Sequence, residues 1–61
     1  MMDQERAIYD HVTLTAKHWR DEERRYAIVG DLRKAINSHF GAIVLEELAK
    51  WIEDRAIERA A

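Results

Sequence analysis

The chain has 61 residues, with no cysteine, no proline and two glycines. That leaves room for one small domain and excludes disulfides, thiolate metal sites and thiol chemistry. Ten Lys and Arg stand against twelve Asp and Glu, a formal net charge of −2, which is not the basic footprint of a nucleic-acid binder.

The charge is evenly dealt. Residues 1–20 hold three acids and three bases, residues 21–40 four and four, residues 41–61 five and three. No block of one sign exists to steer the chain towards a charged partner. The start, MMDQERAIYDH, has no apolar core of a signal peptide. The longest apolar runs, Tyr26–Val29 and Ala42–Leu45, fall far short of the ~20 residues of a membrane span. The expected compartment is the cytoplasm.

The residues predict an all-α chain, in three segments at about 3–29, 31–40 and 42–60, punctuated by Gly30 and Gly41. In the first segment Ile8, Val12, Thr15, Ala16 and Trp19 recur at helical steps, and Tyr26 continues that face. Between Trp19 and Tyr26 lies a wholly charged hexapeptide, Arg20–Arg25. Its residues are good helix formers, with Asp21 and Arg25 at a favourable i,i+4 spacing, so the helix is expected to run through it. If Asp21 instead acted as an N-cap, the chain would fold as a three-helix bundle.

Asp31 follows Gly30 as a candidate N-cap. The segment it opens places Leu32, Ala35, Ile36 and Phe40 on one side. It reads either as a separate short helix or as an extension of the first, since an interior glycine costs only ~1 kcal/mol. In the second case the chain is a helical hairpin bent at Gly41, with unequal arms. In the third segment Leu45, Leu48, Ala49, Ile52 and Ala56 form the main stripe, flanked by Val44 and Trp51, and Glu46 stands i,i+4 from Lys50. This apolar arc is wider than one core requires.

A 61-residue chain without staples has a marginal core. The fold expectation is therefore a helical hairpin or three-helix chain that completes itself as a dimeric helical bundle. Leu14 and Ile28 lie off the main stripe of the first helix, and Val44, Leu48 and Trp51 widen that of the last. Trp19, Tyr26 and Trp51 belong to residue types enriched at binding hot spots, and Arg55 stands one turn after Trp51, where it can stack on the indole. The candidate interface is accordingly Leu14, Trp19, Tyr26, Ile28, Val44, Leu48, Trp51 and Arg55.

Catalytic and metal chemistry find little support. His11 and His18 lie two turns apart, ~10 Å along the axis, too far to share one ion. His18 and Glu22 supply two ligands and no more. Ser38 and His39 are merely adjacent, and no phosphate loop or nucleophile elbow is present. No enzyme activity, cofactor or metal is expected. DNA binding fits poorly. With the turn at Gly30, Arg33, Lys34, Asn37 and Ser38 on Asp31–Phe40 would face the groove, but Tyr26 would sit where a small residue packs. With the turn at Gly41, the reading helix would carry Glu46, Glu47, Glu53 and Asp54 towards phosphates.

The leading expectation is a helical protein–protein interaction module, a regulator or inhibitor that occludes a partner protein, in the size class of phage- or plasmid-encoded inhibitors. The alternatives are a DNA-binding transcriptional regulator using Asp31–Phe40, and a subunit or assembly factor of a larger complex.

Overall fold

The computed structural model describes residues 1–60, and these form two helices and no strands. Helix α1 spans Asp3–Ile28 and helix α2 spans Leu32–Ala60. They pack along their length as a helical hairpin, a rod of 46 × 16 × 11 Å. At 1.5 Å per residue the two helices measure about 39 and 43 Å, so each runs nearly the whole rod.

The bend falls at Gly30 alone. Gly30 takes φ +81°, the left-handed region open to glycine. Its N–H donates to the Ala27 carbonyl at 3.2 Å, and the Asp31 N–H donates to the Tyr26 carbonyl at 2.9 Å. These two bonds satisfy the last carbonyls of α1 in a Schellman arrangement. Asp31 then opens α2, its Oδ1 accepting from the Lys34 N–H at 3.2 Å. At the other end of the rod Glu5 accepts from the Met2 N–H at 3.3 Å and bonds Arg59, tying the start of α1 to the end of α2.

Three expectations are corrected here. The segments 31–40 and 42–60 are one helix, so the chain has two elements and not three, and its arms are nearly equal. Gly41 breaks nothing: it lies inside α2, under the indole of Trp19. The helix through Arg20–Arg25 does run on, but its ion pairs differ from those expected. Arg25 pairs with Glu22 at 3.0 Å, not Asp21, and Glu46 pairs with Arg20 across the hairpin, not with Lys50.

The seam between the helices is made of small residues. On α2 the inward positions Ala35, Ser38, Ala42, Ala49 and Ile52 are buried, with Leu45 and Ala56 half-buried between them. They recur at alternating steps of three and four, the heptad pattern of helices that coil around one another. On α1 the same pattern runs through Glu5, Tyr9, Val12, Ala16, Trp19, Glu23 and Tyr26. Only Val12 and Ile52 among the buried residues are larger than alanine or serine, and no large side chain is completely buried. Alanine on the seam lets the helices approach closely. It also leaves little apolar area to hold them together, because each buried methylene is worth only ~0.8 kcal/mol.

Candidate functional site

Placing the small residues inside puts the large apolar residues outside. The sequence places Leu32, Ala35, Ile36 and Phe40 together on one side of the helix. In the structure only Ala35 turns inward; Leu32, Ile36 and Phe40 are exposed. The same holds for Ile8 on α1, and Leu48 sits at the rim of the seam, 40% exposed. The physical reason is the close approach: a seam spaced for alanine has no room for isoleucine or phenylalanine.

The hairpin consequently has two unlike sides. One is polar and cross-bonded. Arg20 donates from Nε and Nη2 to both carboxylate oxygens of Glu46, at 2.9 and 2.7 Å, and from Nη1 to Glu23 at 2.8 Å. His39 Nδ1 lies 2.9 Å from the same Nη1 and 3.0 Å from Glu23 Oε2. Arginine can only donate, so the His39 nitrogen accepts from Arg20 when it bears a lone pair and donates to Glu23 when it bears a proton. The guanidinium holds the Glu23 and Glu46 carboxyls below their ordinary value of 4.5, and the two carboxylates raise Arg20 further. Towards the open end the Tyr9 hydroxyl bonds Glu53, which raises the phenol above its ordinary 10.0. Two of the six residues of the charged hexapeptide, Arg20 and Glu23, thus tie α1 to α2.

The other side, together with the back of α2, carries the large apolar residues, with Arg33, Glu47 and Asp54 among them. Val44, Leu48, Trp51 and Arg55 lie side by side there, as the sequence places them. The Arg55 guanidinium stands 4.8 Å from the Trp51 ring centroid, a cation–π contact within α2. Ile8 reaches across from α1, so that Ile8, Leu48, Trp51 and Ile52, with Glu5 and Arg55, line a shallow groove. Trp19 borders this side, 37% exposed over Gly41.

The remaining interface candidates do not join them. Tyr26 is half-buried beside the turn, with the Lys34 ammonium 5.5 Å from its ring centroid. Leu14 and Ile28 are exposed on the outer face of α1, fourteen residues apart and so about 21 Å from each other. That face also carries Asp10, Lys17, Asp21 and Arg24, which make it a solvated surface with isolated apolar residues.

Residues that the sequence did not assign to the interface complete the apolar surface. Ile36, Phe40 and Ile43 share the back of α2 with Val44 and Trp51. The signal for them was the spacing of Ala35, Ser38, Ala42 and Ala49, which marks the opposite side of α2 as the seam. Of the side chains offered for groove reading on Asp31–Phe40, Ser38 is buried in that seam, and the segment is the first third of a long helix, not a separate one.

Among the described residues no group of three His, Asp or Glu side chains is placed to hold a metal ion, and no helix is long and apolar enough to cross a membrane. No protein-family model matches the chain, and no curated protein or solved structure is detectably similar to it.

Proposed function

We propose that this chain is a protein–protein interaction module: a helical hairpin that works as a dimeric bundle in the cytoplasm and regulates a partner protein by covering one of its surfaces. One observation carries the reading. Fourteen large apolar residues are exposed, while the buried apolar residues are four alanines, Val12 and Ile52. Isolated apolar residues on a surface need no explanation, but a contiguous face of them marks an interaction site. Here the face runs along α2 and across the groove to Ile8.

The polar side supports a structural role for its charges. Arg20, Glu23, His39 and Glu46 bond one another and bridge the two helices. In this reading the chain performs no catalysis and needs no cofactor. Trp51 and Arg55 are the residues set to meet the target, because an exposed indole with a stacked guanidinium offers area, a donor and a charge in one place.

The test uses the tagged full chain to capture proteins from its source cells, beside a Trp51→Ala variant. A specific protein retained by the parent and lost by the variant, with little change in thermal stability, supports the module. Equal losses of stability and capture place Trp51 in the fold instead. Salt-sensitive retention on duplex DNA with no captured protein replaces the reading with the DNA-binding one.

A further inference from the structure

Helix α2 is apolar on two opposite sides. Its inner side packs on α1 through alanines, and its outer side presents Ile36, Phe40, Ile43 and Val44 at steps of three and four. A helix with large apolar residues on two sides buries most of them only when both sides are covered. The surface area points the same way. A globular protein of this mass exposes about 4,100 Å², whereas the hairpin exposes 4938 Å². Two separate hairpins together expose about twice that 4938 Å², and one globular body of their combined mass about 6,800 Å². The difference, about 3,000 Å², is what a fully globular pair would bury, and it lies in the range of obligate homodimers.

The charges on the outer stripe choose the orientation. Arg33 and Glu47 lie seven residues before and seven after Phe40, two turns away on the same line of the helix. Both are exposed, and neither has an ion-pair partner among the described residues, although most charges flanking the seam do. Laid antiparallel about a two-fold axis at Phe40, two copies bring each Arg33 opposite Glu47 of the other and Phe40 against Phe40. Laid parallel in register, they set Arg33 against Arg33 and Glu47 against Glu47, which repels.

We infer that the occupant of this face is a second copy of the chain, docked antiparallel through α2, with Phe40 at the two-fold axis and two symmetric Arg33–Glu47 pairs. The inference rests on the interaction-module reading and deepens it by naming the first partner. The two α2 helices form the centre of the four-helix body. The α1 helices lie outside it, and with the axis at Phe40 the two α2 helices overlap over residues 32–48, so Trp51 and Arg55 lie beyond the overlap and stay open to the target. A closed two-fold contact of this kind uses one surface twice and leaves nothing to propagate.

The experiment measures the dimer dissociation constant of the full chain by sedimentation, for the parent, Arg33→Glu, Glu47→Arg and the double variant. Each single reversal sets like charges opposite each other and is expected to weaken the dimer ~10-fold or more. The double variant restores both pairs in swapped order, and its constant is expected within about threefold of the parent. A dimer of unchanged strength in all four proteins overturns the assigned face and leaves the association itself standing. A parent that stays monomeric up to the order of 100 µM overturns self-association as well, while target capture still decides the module reading. Cross-linking gives a measurement independent of charge. The chain has no cysteine, so Phe40→Cys reports only its own contact: it is expected to form a covalent dimer on mild oxidation while Leu14→Cys does not. The reverse result overturns the geometry.

Discussion

The indole of Trp19 lies against Gly41 across the hairpin, close enough that a Cβ on residue 41 would stand 3.0 Å from Cδ2 and 3.2 Å from Cε3. A mid-helix glycine normally costs ~1 kcal/mol relative to alanine. Here that cost secures the approach of the two helices. Gly41→Ala is therefore expected to yield none of the usual gain, and to leave the hairpin equally or less stable. In a Trp19→Ala background the same change is expected to stabilise by ~1 kcal/mol. Urea titrations of the four proteins in this cycle measure the coupling. Additive effects would show that the indole simply moves aside.

Gly30 behaves oppositely, because its requirement is conformational and not steric. Nothing lies within 4 Å of a Cβ built there, yet φ is +81°. Gly30→Ala is expected to cost ~1–2 kcal/mol, and Gly30→Asn distinctly less, since asparagine tolerates the left-handed region. Thermal unfolding followed by circular dichroism separates the two. Equal costs would mean the turn relaxes into another form.

Ala42 is the most completely buried residue of the seam. Ala42→Leu must push the helices apart, and is expected to destabilise by ~1–3 kcal/mol or more. Ala7→Leu, the same change on the exposed outer face of α1, is expected to stay within about 0.5 kcal/mol. Equal effects in denaturant would show that the seam tolerates wider spacing.

The Arg20 cluster gives the stability a pH dependence with a definite sign. Glu23 and Glu46 are held below their ordinary 4.5 by the hydrogen bonds from Arg20. Arg59 does the same for Glu5. Groups lowered in the folded state contribute stability that is complete above the ordinary value and lost as pH falls below it. The melting temperature is expected to hold from neutral pH down to about 5 and to drop below that. Arg20→Gln is expected to start lower at pH 7 and to lose less on acidification. Parallel curves for parent and variant would remove the cluster from the account. Tyr9, raised by Glu53, adds a loss above its ordinary 10.0 on the alkaline side.

Much of the fold was legible in the residues. The run of helix formers carried α1 through Arg20–Arg25, and the Gly30–Asp31 pair marked the end of one helix and the cap of the next. The second glycine misled, because Gly30 and Gly41 differ only in what surrounds them. Gly41 answers to Trp19, 22 positions away, and no local pattern carries that contact. The apolar stripes misled for a related reason. Wheel reasoning groups side chains by apolarity, and it set Leu32, Ala35, Ile36 and Phe40 on one side, where the structure separates Ala35 from the other three. The helices instead close on alanine and serine, a choice set by the spacing of two elements and not by either alone. Val44, Leu48, Trp51 and Arg55 stand side by side, as their spacing on a single helix dictates, because that neighbourhood is local; their role as an interface is a proposal. Leu14 and Ile28 were found exposed, as expected, but on a separate face.

The two tryptophans sit on different boundaries of the molecule. Trp19, 37% exposed, rests on the backbone of the opposite helix, and Trp51, 55% exposed, stands on the outer side of α2 beside Arg55. The emission of one follows closure of the hairpin, and that of the other follows whatever settles on α2. Single-tryptophan variants therefore turn the chain into its own pair of optical probes, able to time folding and assembly separately in one solution without an added label.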